Sequence, residues 1–191
     1  ELELLILLGS ALINTQGPGA PVVAEGYNRA VALCEQLAPS ADHFAVYWGQ
    51  WRIARTLADI RRWAERLLHL ARELDEPGLL LQAHHANWPT FFMLGEPRTC
   101  CDHIRRGLAY YEQGDFHDHA NIIYGGHDAQ VCGRGEAGLA LWLLGYPEQA
   151  RCSAAQGLDW ARQLRHAGSI VHAMDYAVML RQHVEQGADV T

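Results

Sequence analysis

Histidine is the residue type that most invites a chemical reading of this chain, with eleven among 191 residues. His117, Asp118, His119, His127 and Asp128 crowd one stretch, and His84-His85 stand together upstream. Imidazole and carboxylate are ligands for zinc and other divalent cations. A set of His84, His85, His127 and Asp128 would make the chain a His-rich metal-binding protein or a metal-dependent enzyme. No H-x-x-x-H or H-E-x-x-H spacing supports that set. The plainer expectation is that Asp128 caps a helix beginning near residue 129, with His127 packing beside it.

A second group is aromatic: Tyr47, Trp48, Trp51, Trp88, Phe91 and Phe92, with Arg52, Arg55, His85 and Asn87 interleaved. Such a group makes an amphipathic ligand cleft if it faces open space and ordinary helix packing if it does not. The groove version is built from Trp48, Trp51, Arg52, Arg55, His85, Trp88 and Arg134, with Glu136 on the same helix as Arg134. Arg52 and Arg55 are placed to clamp an anion, although two arginines at this spacing are not specific.

Catalytic patterns are lacking: there is no G-x-S-x-G, no phosphate-cradling glycine loop and no recognisable nucleophile–base pair. The glycines of residues 133–138 follow no strand and sit in a helical pattern, where they permit close helix approach. Cys132 lies five residues after His127 across a helix start, a spacing that does not by itself place the two in contact. The expectation is a non-enzyme without cofactor.

Composition narrows the classes further. All fifteen basic residues are arginine, so lysine-dependent phosphate binding and Schiff-base chemistry are excluded from these residues. A formal charge of −7 argues against a dedicated nucleic-acid binder. The five cysteines contain no C-x-x-C pair and read as reduced, core-facing thiols of a cytoplasmic protein. Residues 2–13 are apolar but too short for a membrane span of about 20 residues, and Glu1 and Glu3 stand where a signal peptide carries basic residues. The start at Glu1 suggests a piece excised from a longer protein.

These residues must be positioned by helices, because a 3.6-residue period runs almost throughout and no stretch alternates like a strand. Helices are expected at about 1–14, 20–38, 42–57, 59–75, 77–94, 97–112, 128–144, 147–166 and 169–186. Leu94-Gly95-Glu96-Pro97, followed by Gly107-Leu108, recurs fifty residues later as Leu144-Gly145-Tyr146-Pro147 followed by Gly157-Leu158. Residues 64–74 align forty residues before 104–114, and residues 29–37 thirty-seven before 66–74. Helix pairs at such periods are the mark of a tetratricopeptide-type solenoid. The expected fold is therefore all-α, about nine antiparallel helices in one domain over 1–191, with an insertion at 113–126. In such arrays the first helix of each pair lines the concave face, which is where the groove residues would lie. The outer helices carry Arg61, Arg62, Arg66, Arg105, Arg106, Arg162 and Arg165 as solvated faces pairing with Glu and Asp. Pro89 is expected to kink or break its helix near residue 85.

Several stretches carry a resemblance: ELELLILLGSAL at 1–12, YWGQWR at 47–52, LLLQAHH at 79–85 and YGGHDAQVCGRGEAGLALWLLGYPEQA at 124–150. Through them the chain resembles the tetratricopeptide region C-terminal to the ATPase module in large bacterial regulators of the adenylate/guanylate cyclase and predicted-ATPase type. That resemblance implies a regulatory segment that binds a protein, a peptide, another domain of its parent chain or a small effector. Ala129 replaces the Pro usual after the His-Asp pair, and Asn87-Trp88-Pro89 interrupts a run of small residues. A homodimer through exposed Leu4, Leu5 and Leu8 on the first helix is a further expectation.

Overall fold

The computed structural model describes residues 1–116, 119 and 124–188, without the side chains of 185–188. Among them the fold is all-α: α1 (Leu2–Gln16), α2 (Pro21–Cys34), α3 (Ala41–Ile53), α4 (Leu57–Leu74), α5 (Pro77–Met93), α6 (Pro97–Tyr111), α7 (Ala129–Leu143), α8 (Pro147–Leu164) and α9 (Ala167–Ala188). Each helix packs on the next, and each odd-numbered helix also packs on the following odd-numbered one. Short connections between packed neighbours make them antiparallel. The odd helices thus form an inner row and the even helices an outer row. No helix among the described residues is long and apolar enough to cross a membrane.

Local chemistry sets the helix ends. Proline opens α2, α5, α6 and α8, where its missing N–H has no intrahelical partner to lose. The Leu-Gly-x-Pro joints turn on Gly95 and Gly145, at φ 76° and 85°, a region open to glycine at no steric cost. Thr56 caps α4 by accepting from Asp59 N, and Asp128 caps α7 by accepting from Val131 N. The repeat also has a packing meaning. A Cβ on Gly107 would sit 2.8 Å from the Trp88 ring, and one on Gly157 3.3 Å from the Val131 carbonyl. Both glycines let an outer helix close onto its inner partner.

Three expectations are corrected. The helix expected at 42–57 ends at Ile53, leaving Ala54, Arg55 and Thr56 as the joint to α4. Pro89 does not break α5, which runs continuously from Pro77 to Met93. An internal proline costs about 3 kcal/mol, but α5 is packed by α3, α4, α6 and α7 and buries almost every residue from Leu79 to Phe91. Its polar residues close their bonds inward: Asn87 Nδ2 donates to the Ala64 and Ala83 carbonyls, and the Thr90 hydroxyl donates to the Ala86 carbonyl. Leu5 is half-buried against α2 and α3, so the exposed leucines of α1 are Leu4, Leu7 and Leu8.

The outer arginines behave largely as expected. Arg61, Arg62, Arg105 and Arg162 pair with Glu65, Asp59, Asp102 and Asp159 one turn away. Arg66 instead lies over the Tyr47 and Trp63 rings, at 4.6 and 4.8 Å from their centroids.

Candidate functional site

The inner row gathers the chain's unusual chemistry into one seam. Trp48 on α3, His85 and Trp88 on α5, and Cys132 on α7 are all buried there. His85 stacks on Trp88 at 4.7 Å and meets Trp48 edge-on at 5.3 Å. The seam is not an open groove. Two residues from between α6 and α7 cover it: Tyr124 stands edge-on to Trp48 and Phe44, and the His119 ring tilts against Tyr124. Of the histidine-rich insertion, His117 and Asp118 lie outside the described residues.

The remaining groove candidates scatter. Trp51 is half-buried and donates its indole N–H to Thr90 Oγ1. Arg52 is half-buried beside Tyr27, and desolvation lowers its pKa. Arg55 is exposed and donates to the Gly19 carbonyl, away from the seam. Arg134 lies on the other side of α7, lining a cleft of about 600 Å³ with Cys101, Leu108, Ser153 and Gln156. The fifty-residue repeat explains this placement. Arg134 occupies the position of His84, which faces the outer helix, not that of His85. Glu136 is buried and hydrogen-bonds the Tyr176 hydroxyl of α9.

The metal set suggested by the sequence is divided in the same way. His84 turns toward α6, where its Nδ1 is 2.9 Å from His103 Nδ1. Asp128 is consumed structurally: Oδ1 accepts from Val131 N, Oδ2 accepts from the Tyr111 hydroxyl at 2.7 Å, and its own N–H donates to Ser169 Oγ. His85 and His127 do come together, their Nε2 atoms 3.2 Å apart. Cys132 joins them, with its Sγ and one nitrogen of each ring mutually within 4.8 Å. His172 of α9 stacks on His127 at 3.8 Å, and its Nε2 is buried without a hydrogen-bond partner.

Two devices place His127. Gly125 and Gly126 take φ values of 102° and 74°, which turns the chain sharply into the N-terminus of α7. A Cβ on Gly168 would sit 2.2 Å from the Gly126 carbonyl, so only glycine lets α9 begin against this turn. His127 then precedes the Asp128 cap and reaches Cys132, the fourth residue of α7. Packing of the residue before the cap against the fourth helical residue is a recurrent capping contact. Sequence reasoning set this pair aside on spacing alone. The cap itself, legible in the sequence, was the signal for it.

Burial dominates the electrostatics. Desolvation, with the neighbouring His172 second, lowers His127 to about 3, and desolvation pushes His85 well below its usual range. Desolvation and the nearby Glu136 push Cys132 up to about 12, while Glu136 is itself raised by burial. The seam is therefore held as neutral imidazoles, a neutral thiol and a desolvated acid. Neutral imidazole nitrogen and sulfur are transition-metal donors. A cleft of about 510 Å³ lined by Gly126, His127, Val171, His172 and Asp175 leads in from outside.

Comparison with known proteins adds one relative. The chain is 30% identical over 177 residues to an uncharacterized protein of Rhizobium meliloti (strain 1021). The match takes in 92% of this chain and 17% of that protein's length. No family model matches the chain, and no solved structure matches it.

Proposed function

We propose that this chain is a non-catalytic, tetratricopeptide-like module of a larger bacterial signalling protein of the ATPase or nucleotide-cyclase class, regulating it through protein contacts. The observation that carries the reading is at the two ends of the helix stack. Leu4, Leu7 and Leu8 of α1 are exposed at one end, and Val171, Met174 and Val178 of α9 at the other. Residues 171, 174 and 178 follow helical spacing and make one apolar stripe. Each helix pair of a repeat array hides its apolar side on a neighbour, and an uncovered side is a contact surface for further structure. The Rhizobium relative supports the same reading, since the matched region is 17% of a much longer chain. Burial of Trp48, covered by Tyr124, and of Trp88 supports a partner surface at these ends and not in the inner groove. The free thiols suit a reducing, cytoplasmic setting.

Sedimentation velocity over a concentration series tests the reading. The isolated chain is expected to self-associate through its uncovered ends, and the double variant Val171→Glu/Met174→Glu to sediment as a monomer. A wild-type chain that stays monomeric throughout would remove the support for docking ends.

A further inference from the structure

The ring-nitrogen partners in the seam fix more than its packing. The His127 Nδ1 faces the Gly125 carbonyl at 3.2 Å, and a carbonyl only accepts, so this nitrogen carries the proton. The His85 Nδ1 faces Gln82 Oε1 at 2.9 Å, which places its proton there too. With the Gln82 amide in this orientation, both Nε2 atoms are bare lone pairs facing one another across 3.2 Å. Two acceptors in that position repel unless a cation lies between them. A proton is a poor candidate, because a buried imidazolium is heavily penalised.

We propose that His85 Nε2, His127 Nε2 and Cys132 Sγ bind a zinc ion. Two imidazole nitrogens on a tetrahedral zinc, each about 2.0–2.1 Å from the metal, stand about 3.3 Å apart. The observed 3.2 Å is already that separation. Tetrahedral geometry puts a zinc-bound sulfur about 3.5 Å from each nitrogen. Cys132 Sγ and one nitrogen of each ring lie within 4.8 Å of one another, about 1.3 Å at most beyond those separations. Gln82 and the Gly125 carbonyl then act as the outer partners that orient metal-bound histidines in zinc sites.

Independent features of the seam fit a zinc–thiolate. The Trp88 indole N–H is fully buried with no hydrogen-bond partner, and it lies close enough to Cys132 to favour the deprotonated sulfur. On the other side, the Tyr176 hydroxyl donates to the buried Glu136 carboxylate and lies 4.0 Å from Cys132 Sγ, where the neutral thiol is the donor until the metal displaces its proton. On binding, the thiol proton leaves to solvent through the cleft beside His127, and a water from that cleft takes the fourth position. The rival arrangement turns the Gln82 amide over, giving a hydrogen-bonded chain from Gln82 through His85 to His127 that needs no ion. That chain leaves the converging thiol without a role.

Titration of the chelator-treated full chain with cobalt(II), followed by zinc, decides between them. One equivalent of cobalt is expected to give a tetrahedral visible spectrum and a near-ultraviolet thiolate-to-metal band, both abolished by stoichiometric zinc. Cys132→Ser is expected to lose the thiolate band. His127→Ala, on a loop outside the helices, is expected to weaken zinc at least about tenfold. His84→Ala and the exposed-thiol variant Cys152→Ser are expected to bind as the wild type does. Absence of a thiolate band in the wild type, or its survival in Cys132→Ser, overturns the proposal. If Cys132→Ser fails to fold by circular dichroism, unchanged zinc affinity in His127→Ala overturns it. Neither result bears on the module reading, which rests on the ends of the stack.

Discussion

Two consecutive histidines on α5 make pairs with opposite character. His84 meets His103 across the α5–α6 contact through Nδ1 to Nδ1 at 2.9 Å. Neither ring has a second hydrogen-bond partner among the described residues, so one simply donates to the other and both choose their tautomers freely. His85 meets His127 at 3.2 Å, but Gln82 and the Gly125 carbonyl hold the far nitrogens of both rings. The outer pair makes an ordinary hydrogen bond, whereas the inner pair, on the zinc proposal, turns two lone pairs toward one ion. What a histidine pair can do is decided by what holds the nitrogens that do not touch.

The largest way to break the inner pair is Trp88→Ala. Trp88 is fully buried, stacks on His85 and fills the notch left by Gly107. Losing a buried tryptophan costs about 3–5 kcal/mol, and urea denaturation should show the midpoint falling accordingly. Asp128→Ala is next. It removes the α7 cap and the bond that Oδ2 accepts from the Tyr111 hydroxyl, at about 1–3 kcal/mol. NMR of the imidazoles should show the His127 environment altered and that of His84 and His103 preserved. If both pairs shift together, the two are not the separate units described above.

The outer pair is sharpened by acid. Desolvation, with Arg106 and Arg72 nearby, holds His103 down to about 4, against about 6.5 in an unfolded chain. The unfolded state therefore binds the extra proton first as pH falls. The neutral ring's contribution is complete above pH 6.5 and is lost between about 6.5 and 4. Thermal melts over that window should fall in the wild type and fall less steeply in His103→Phe, whose ring can keep the stack on Phe91 while the other buried histidines still titrate. An unchanged slope would show that His103 is not a source of the acid loss. The smallest effect is expected from Arg105→Ala, beside His103 on α6. Its pair with Asp102 is solvent-exposed on both sides, and such pairs contribute little; the melting temperature should not measurably move.

Much of the scaffold was legible because proline and glycine act locally. Pro77, Pro97 and Pro147 open helices, Gly95 and Gly145 turn the joints, and Asp128 caps α7, each by the geometry of its own backbone. Pro89 misled for a tertiary reason, since a helix packed on four sides holds its course through one lost hydrogen bond. The groove residues misled for a related one. Trp48 and Trp88 look like cleft aromatics only until Tyr124 covers Trp48 and α6 and α7 close on Trp88 at Gly107 and Gly133.

By itself, then, the sequence determined an all-α chain, its main joints, its repeated glycine notches and the absence of lysine chemistry. Only the tertiary structure decided which histidine belonged to which pair. Adjacent helical residues point about 100° apart, and a helix buried all round has no polar stripe to tell one direction from the other. α3 and α7 on one side and α6 on the other made that choice, and with it separated the His84–His103 pair from the His85–His127 pair.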